Sequence, residues 1–413
     1  MPVLQRLLSL LFVVVIVAAG AAAVGGIRSF PADTAADTGV LDGALAKRFE
    51  THYDEQFPLK RLATNLWAAI SLQLFDEGRR GVVVGRDGWL YTDEEFALGD
   101  DSEANIAANL ASIHRINADL VRRALPLLVV VVPAKARIHA DHLGSRRPPA
   151  RHQTLHAQLI ASLALDGIAT VDLLATLSEA RDGEPVFFRA DSHWTPHGAD
   201  LAARQAAVIA GERGLLAAPA ARRAQRTWLA AATPYRGDLL GFLPLEPWFS
   251  SLLPALDQIR VPQTLPVAEV RTASGSAADL FGDAASPALV LVGSSYSANP
   301  HWNFAGALAE AFAEPVANLA VEGIGPFRPM QRFLEGPELA RSHPRLVIWE
   351  IPERSLLLKP VDAPAAVNRP DAGPEPRPAT RPAVTAPRPE TLPSNLTVAE
   401  RNTTPYRRAA AVC

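Results

Sequence analysis

The sequence predicts an α/β fold, with a parallel β-sheet that is flanked by helices. Three runs, at residues 127–132, 288–292 and 346–351, are apolar except for Glu350 and have the length of strands covered on both faces. Segments near 106–120 and 155–163 carry apolar residues at helical spacing instead. Because strands that alternate with helices form parallel sheets, we expect one large core built around such a sheet.

The N-terminal segment, residues 1–29, is predicted to be a signal anchor or a signal peptide. Arg6 precedes an apolar run from Leu7 to about Ile27, and a helix of that length can cross a bilayer. Small residues near the end of the run also fit cleavage by signal peptidase: Ala19, Ala21, Ala22 and Ala23. We therefore expect the residues from about 30 onward to face outside the cytoplasm.

Residues 30–78 are predicted to form a helical linker. Apolar residues recur at short, helix-like intervals between Leu41 and Phe75, which indicates an amphipathic helix. The main domain is expected to span residues 79–360. It begins with a β-hairpin pattern at 82–91, in which a glycine-containing turn separates two apolar stretches.

Within the main domain, Asp101 or Ser102 can cap the helix that precedes the first buried strand, and residues 168–173 predict another strand. The stretch 215–285 lacks clear periodicity and is interpreted as an insertion or a lid. Residues 361–413 are rich in proline and cannot bury enough apolar surface to form a core, so this tail is predicted to be disordered.

Composition excludes some classes of function. The formal net charge is -3 and no basic cluster stands out, so we expect no nucleic-acid partner. The single cysteine, Cys413, leaves no internal disulfide framework and no cysteine-based metal site.

The strongest chemical pattern is Asp191-Ser192-His193, placed just before a helix that Thr195 caps and Pro196 begins. In an extended Asp-x-His, the carboxylate can accept a hydrogen bond from imidazole Nδ1, which leaves Nε2 to act as a base. Two alternatives stay open. The pair can serve only as loop hydrogen-bond partners, or Asp191, His193 and His197 can bind a metal ion such as zinc.

A candidate nucleophile follows the apolar run at 288–292. Gly293-Ser294-Ser295 directly follows this strand, so Ser295 is expected at the carboxyl edge of the sheet, where α/β folds bind ligands. Ser294 and Ser297 are lesser candidates. A helix at about 303–312 is expected to supply amides that can stabilise an oxyanion.

These motifs resemble the alginate O-acetyltransferase family of SGNH-hydrolase-like proteins. The resemblance covers roughly residues 45–357. It rests on five motifs: Gly85-Arg-Asp-Gly-Trp-Leu-Tyr91, Val132-Pro-Ala-Lys135, Asp191-Ser-His-Trp-Thr-Pro196, Gly293-Ser-Ser-Tyr-Ser297 with Asn303-Phe304, and Trp349-Glu-Ile-Pro-Glu-Arg354. The order of Asp-x-His before the serine is that of the acetyltransferase branch. Ser294 stands where the common SGNH motif has aspartate.

The resemblance implies an SGNH-hydrolase-like domain with Asp191, His193 and Ser295 as its catalytic triad. It implies transfer of acetyl to an exported polysaccharide in the periplasm, by a protein anchored to the inner membrane. A membrane-bound O-acyltransferase is the implied source of the acetyl group, and no cofactor or metal is expected. Two alternatives remain: a polysaccharide acetylesterase, and a non-enzymatic scaffold of an export complex.

Further residues are candidates for substrate binding. Trp194, Tyr296 and Trp302 can stack on sugar rings, although packing in the core is an equal alternative. Lys135 can meet an acidic polysaccharide or be a solvated loop charge. The remaining candidates are Asn303, which lies in the family-like motif, and Arg236, which lies in a possible substrate wall in the insertion. A strand-end cluster of charges fits either an ion-pair network or catalysis: Glu350, Glu353 and Arg354.

Overall fold

The structure is a computed structural model that describes residues 2–28, 30, 42–57, 59–216, 224–267 and 287–361. The α-helices of the described residues are α1 Pro2–Arg28, α2 Ala44–Gln56, α3 Lys60–Phe75, α4 Ser102–Arg122, α5 Lys135–Ile138, α6 Ala150–Leu165, α7 Leu174–Ala180, α8 Pro196–Glu212, α9 Ser295–Ala298, α10 Phe304–Phe312, α11 Phe327–Glu335 and α12 Pro337–Ser342. Their β-strands are β1 Val82–Val84, β2 Leu90–Thr92, β3 Leu127–Val132, β4 Ala169–Asp172, β5 Gln225–Leu229, β6 Thr233–Tyr235, β7 Asp257–Ile259, β8 Pro262–Pro266, β9 Leu289–Val292, β10 Val316–Asn318 and β11 Leu346–Pro352.

The chain divides into two compact units. The first comprises Met1–Val84 and Leu240–Pro254, and the second comprises Gly85–Leu239 and Ala255–Cys413. The predicted tail, 361–413, lies outside the described residues apart from Val361.

The first unit contains the predicted N-terminal segment. α1 forms over the apolar run, and large apolar side chains along it, Phe12 and Val17 among them, are exposed. Within the described part of the chain, no helix combines the length and the hydropathy that crossing a membrane requires. The spanning segment predicted at residues 1–29 is therefore not confirmed.

The structure differs from the predicted linker in one respect. The chain forms two helices, α2 and α3, where one amphipathic helix was predicted. α2 ends at Phe57, which is extended, and Pro58 follows it in the sequence. The residue before a proline is biased toward extended conformations, which explains the break. The apolar residues at helical spacing on α3 are exposed: Leu62, Leu66, Ile70 and Leu74.

The second unit is built on a five-stranded sheet in the order β10-β9-β11-β3-β4, with every neighbouring pair parallel. The predicted strands at 127–132, 288–292 and 346–351 are confirmed as β3, β9 and β11, and the strand at 168–173 as β4. The α/β class with a parallel sheet is thus confirmed. β10, a short and incompletely buried edge strand, was not predicted, because its three residues carry no distinctive pattern.

The core lies on both faces of this sheet. Alternate residues of β3, namely Leu127, Val129 and Val131, join one apolar cluster with residues of α4, α6 and α11. Because successive side chains of a strand point to opposite faces, the intervening residues face the other way, and they are buried as well. α8 packs against β3 and β4. Burial on both faces explains why β3 is a continuous apolar run.

The turn predicted in the hairpin pattern is present. The backbone N–H of Gly85 donates to the carbonyl of Trp89 at 2.8 Å, and Trp89 N–H donates to the carbonyl of Arg86 at 3.0 Å. Asp87 and Gly88 both have positive φ, at 56° and 78°. Glycine adopts this conformation without steric cost, and aspartate is among the residues that tolerate it.

The stretch 215–285 contains strands that the sequence did not predict. β5 pairs with β8, and β6 pairs with β7, both antiparallel. They are short, and prolines lie within or at the ends of β6 and β8, so no periodic signal appears. Residues 217–223 and 268–286 of this stretch lie outside the described residues.

Candidate active site

Two separate segments bring the predicted catalytic residues together. Asp191 and His193 lie in the loop before α8, while Ser295 is the first residue of α9, just after β9. His193 Nδ1 lies 2.7 Å from Asp191 Oδ1, and His193 Nε2 lies 2.7 Å from Ser295 Oγ. A carboxylate cannot donate, so Nδ1 carries the proton and Nε2 can accept the proton of the serine hydroxyl. The three groups form a continuous hydrogen-bonded chain.

The local sequence explains the position of the loop. Thr195 caps α8, because its hydroxyl accepts a hydrogen bond from Gly198 N–H at 3.2 Å, and Pro196 is the first helical residue. The predicted helix start is confirmed. An isolated bridge between Phe187 and Trp194 closes the loop.

The Asp191 carboxylate accepts four hydrogen bonds. Oδ1 accepts from the backbone N–H of His193 at 2.9 Å as well as from its ring, and Oδ2 accepts from Tyr235 Oη at 2.7 Å and from Asp238 N–H at 2.9 Å. Burial alone would raise the pKa of Asp191. The hydrogen bonds and the charge of His193 outweigh burial and lower this pKa to about 2. Asp191 therefore stays ionised and holds the imidazole.

The segment that contains Tyr235 and Asp238 was predicted as a possible substrate wall. In the structure it packs against the loop of Asp191. A Cβ added to Gly237 would lie 2.0 Å from the carbonyl oxygen of Ala190, so only glycine permits this approach of the two chains. The Asp238 carboxylate accepts from Ser192 N–H at 2.8 Å and Ser192 Oγ at 2.6 Å. The sequence did not predict that this segment supports the loop of Asp191. Its only signal was Gly237 next to Asp238.

Ser295 differs from the two lesser candidates for the nucleophile. Ser294 Oγ donates to Glu350 Oε1 and Ser297 Oγ donates to Glu350 Oε2, each at 3.0 Å. Glu350 is fully buried and also accepts from Ser294 N–H at 2.7 Å. Burial raises the pKa of Glu350 and these hydrogen bonds oppose the rise. Among these three serines, only Ser295 has its hydroxyl beside His193.

Glycine at position 293 is required for this arrangement. A Cβ there would lie 2.5 Å from Glu350 Oε2 and 2.8 Å from Ser297 Oγ. The sheet register pairs Trp349 with Val292, so Glu350 stands one residue further along β11, level with the turn after β9. The strand-end glutamate thus supports the serine turn. The helix after Ser295 is the short α9, and the helix predicted at 303–312 begins later, as α10 at Phe304.

The three candidate stacking residues surround the triad and are buried. Trp194 and Tyr296 are 0% and 1% exposed, so neither ring presents a face to a ligand in this structure. Trp194 Nε1 donates to the carbonyl of Tyr296 at 3.1 Å. Trp302 stacks on the imidazole of His193 with ring centres 5.1 Å apart, and its Nε1 donates to the carbonyl of Ser295 at 3.0 Å. Trp194 and Tyr296 therefore pack in the core around the site, which was the alternative to stacking on sugar rings.

Lys135 matches neither of its predicted environments. It is 1% exposed, so it is not a solvated loop charge and cannot meet a polysaccharide in this structure. Its ammonium donates to three carbonyl oxygens, those of Leu90 at 2.6 Å, Arg189 at 2.8 Å and Asp191 at 2.9 Å. The strand before it, β3, ends inside the core, which explains why the lysine is enclosed.

The charges after β11 form ion pairs. Arg354 Nε lies 3.0 Å from Glu94 Oε2, and its Nη1 donates to Tyr296 Oη at 3.0 Å. Arg137 Nε donates to Glu353 Oε1 at 3.2 Å. Glu353 and Arg354 therefore take part in ion pairs, which was one of the two predicted possibilities for their cluster, and Arg137 is the partner of Glu353 from outside it.

A cavity of about 840 Å³ adjoins the triad through Trp302, which lines it together with Asn303. Three arginines also line it: Arg189, Arg204 and Arg260. The reacting atoms of His193 and Ser295 lie outside its lining. Arg236, a predicted binding residue, is exposed and does not line this cavity.

One group of acidic and histidine residues in the described part of the chain has metal-binding spacing. The ligand atoms of Asp191, His193 and Asp238 lie within 4.8 Å of one another. His197, the third ligand of the predicted metal alternative, is not part of this group, and its Nδ1 lies 3.7 Å from Glu184 Oε2. Asp191 and His193 use the same atoms for their mutual hydrogen bond, so a cation there would have to displace it.

Comparison with known proteins shows the family of this chain. Residues 82–353 match the family model for the SGNH hydrolase-like domain of the acetyltransferase AlgX. The probable alginate O-acetylase AlgJ of Pseudomonas aeruginosa is 44% identical over 333 residues, which cover 80% of this chain and 84% of the relative. The corresponding protein of Pseudomonas syringae pv. tomato is 47% identical over 332 residues, covering 80% and 83%.

A solved structure is similar as well. The O-acetyltransferase domain of Pseudomonas putida AlgJ superposes with a TM-score of 0.61 and 39% identity, covering 68% of this chain and 94% of that domain. The match extends over most of the neighbour's length, so the likeness concerns a whole domain.

Proposed function

Because this chain belongs to the family of SGNH hydrolase-like acetyltransferases, we propose that it transfers acetyl groups to hydroxyls of an exported, alginate-like polysaccharide through an acetyl-serine at Ser295. The observation that carries the proposal is the continuous hydrogen-bonded chain from Asp191 through His193 to Ser295. Such a chain activates a hydroxyl that is a weak nucleophile at its ordinary pKa.

In the first half of the reaction, His193 Nε2 takes the proton of Ser295 Oγ as the oxygen attacks the acetyl carbonyl carbon of the donor ester. The tetrahedral intermediate collapses, the bond to the donor oxygen breaks, and that oxygen leaves with the proton from His193. The ionised Asp191 stabilises the imidazolium that exists between these proton transfers, which is why its low pKa favours the reaction.

In the second half, a sugar hydroxyl gives its proton to His193 and attacks the acetyl-serine. The bond to Ser295 Oγ breaks, the proton returns to the serine oxygen, and the acetylated sugar leaves. Water can attack the same intermediate, so transfer requires that the sugar displace water from the site. The adjoining cavity, with Trp302 and Asn303 in its lining, is the proposed place of the acceptor.

The arginines in that lining suit an acidic polymer. Arg189 and Arg204 are already paired, with Asp257 and Asp200 respectively. They therefore add little net positive charge to the cavity, and their main contribution would be to orient an acidic ligand. Guanidinium groups recognise carboxylates in two-point geometry, which fits a uronate chain.

We further propose that residues 1–29 direct the enzyme to the periplasm and hold it at the inner membrane, supported by the exposed apolar side chains of α1. The proposed acetyl donor is a membrane-bound O-acyltransferase that acts beside it, which the resemblance to alginate acetyltransferases implies. Fractionation of cells that express the full chain, with N-terminal sequencing of the mature protein, tests retention against cleavage.

The central test is detection of the acetyl-enzyme and of acetylated sugar by mass spectrometry. The full chain is incubated with an activated acetyl ester, with and without mannuronate oligosaccharides. We expect an adduct of one acetyl group on Ser295, and acetylated oligosaccharide when the acceptor is present. Ser295→Ala and His193→Ala should form neither product.

Ser294→Ala is the matched control, since it removes the neighbouring hydroxyl that binds Glu350. This variant should still form the adduct on Ser295. An adduct on Ser294 in the wild type, or acetylation that persists in Ser295→Ala, would refute the assignment of the nucleophile. Release of acetate with no acetylated sugar would favour an esterase.

A further inference from the structure

The fully buried cation beneath the catalytic loop has no part in the proton transfers described above. Lys135 lies three residues after the last residue of β3 and begins α5. Lysine is almost never fully buried unless its charge is compensated. Here each of its three N–H donors has a carbonyl partner, at 2.6, 2.8 and 2.9 Å. The ammonium is therefore satisfied by backbone alone.

The three carbonyls belong to two segments that are far apart in the sequence. Leu90 begins β2, while Arg189 and Asp191 lie in the loop before α8. One partner is thus the main-chain oxygen of the same aspartate whose carboxylate orients His193. A bond to the carbonyl limits rotation of the backbone at Asp191, and hence the direction of its side chain.

The surroundings keep the ammonium in one place. Its Nζ lies 5.1 Å from the ring centre of Trp89 and 5.2 Å from that of Tyr91, within the range of cation–π attraction. The Glu95 carboxylate accepts from the backbone N–H groups of Lys135 at 3.1 Å and Ala136 at 2.8 Å, which fixes the start of α5. Burial lowers the pKa of Lys135 to about 8, so the side chain remains largely charged at neutral pH.

We propose that Lys135 is a positioning residue for acyl transfer, whose ammonium holds the main chain at Asp191 so that the carboxylate meets His193 in the productive orientation. The effect of Lys135 on acyl transfer rests on the proposed function. Its effect on the hydrogen bond between Asp191 and His193 does not, because that bond can be observed without any substrate.

The test compares Lys135→Met with the wild type in the full chain. Methionine keeps the length and apolar body of the side chain and removes all three donors. We expect the rate of acetyl-adduct formation on Ser295 to fall at least about tenfold per folded molecule, because small misplacements of reacting groups cost rate steeply. The low-field proton resonance of His193 Nδ1–H, which reports its hydrogen bond to Asp191, should shift or broaden.

Arg137→Met is the matched control. Arg137 is a second cation of α5, and it binds Glu353 and the carbonyls of His152 and Gln153, none of which touches the triad. This variant is expected to lose stability while its adduct rate and its low-field resonance remain those of the wild type. A loss of stability alone therefore cannot imitate the expected result.

Lys135→Gln provides a second, milder variant, since its amide retains two donors. An adduct rate and a resonance that are unchanged in both Lys135 variants would overturn the proposal. It would also be overturned if neither variant folds, because the lysine would then serve the whole fold. Should the wild type form no adduct while the resonance still depends on Lys135, the proposed function fails and the positioning role stands.

Discussion

Replacing Tyr235 by phenylalanine isolates one hydrogen bond of Asp191, the proposed catalytic aspartate. The hydroxyl donates to Asp191 Oδ2 at 2.7 Å, and the change keeps the ring, which packs 4.7 Å from Phe188. Burial and the charge of Asp191 raise the pKa of Tyr235, so the wild-type hydroxyl stays protonated and donates. Asp238 N–H would remain as the only other donor to Oδ2 recorded in the described residues.

The expected loss follows from the charge on the acceptor. A hydrogen bond to an ionised group contributes about 1.5–3 kcal/mol, so the free energy of unfolding at neutral pH should fall by about that amount. If this energy holds the carboxylate against His193, the rate of adduct formation falls by about ten- to a hundredfold, because about 1.4 kcal/mol corresponds to a factor of ten.

The pH dependence of stability provides a separate measurement. The pKa of Asp191 is lowered to about 2 in the folded protein, so its contribution is present above the ordinary carboxyl range and is lost as the pH falls through about 2. In Tyr235→Phe the folded pKa of Asp191 rises toward its ordinary value, so its contribution to stability is smaller and its loss is complete at a higher pH than in the wild type. Urea unfolding between about pH 2 and 7 records both curves.

Tyr91→Phe is the control, since it removes another buried tyrosine hydrogen bond, to the carbonyl of His139 at 2.7 Å. Tyr91→Phe should lower the free energy of unfolding by an amount that does not change with pH. It should leave the adduct rate near that of the wild type. If Tyr235→Phe and the wild type have coincident acid curves and equal adduct rates, then Tyr235 does not stabilise the carboxylate and the reasoning fails.

Two further substitutions test the support of the site. Gly237→Ala should lower the free energy of unfolding by more than about 2 kcal/mol and abolish adduct formation, because its Cβ would lie 2.0 Å from the carbonyl oxygen of Ala190. Gly241→Ala is the control. Nothing lies within 4 Å of a Cβ there, so this variant should keep both its stability and its adduct rate. Glu350→Ala should cost about 1–3 kcal/mol for each buried donor that it leaves unpaired, and Ser294 N–H and the Ser294 hydroxyl are two of these. Glu350→Gln, which keeps an acceptor oxygen, should cost clearly less in urea unfolding, and equal losses would show that these hydrogen bonds do not stabilise the turn.

The central sheet could be predicted from the sequence because burial on both faces leaves a direct mark. Residues 127–132 and 289–292 are apolar throughout, and no amphipathic surface strand has that composition. The Asp191 to His193 motif was equally direct, since Thr195 and Pro196 mark the helix that places it. Both signals depend on residues within a few positions of each other.

The surroundings of the site could not be predicted in the same way. Lys135 was expected to meet an acidic polysaccharide or to be a solvated loop charge, because a lysine after a strand ordinarily reaches water. No local pattern marks the three distant carbonyls that enclose it. Tyr235 and Asp238 lie more than 40 positions from Asp191, in a stretch whose strands are too short for periodicity. Contacts of this kind follow from tertiary structure alone.

The stability of the loop that contains Asp191 and His193 therefore depends on elements outside it. An irregular loop has few hydrogen bonds of its own and opens easily, which would separate Asp191 from His193. Here the carbonyl of Asp191 is held by Lys135 at the end of β3, and its carboxylate is held by Tyr235 at the end of β6. The segment between α8 and β9 thus contributes directly to the orientation of His193, the proposed base. Changes near β6 should alter the rate of acetylation even though they touch neither Ser295 nor the bound acetyl group.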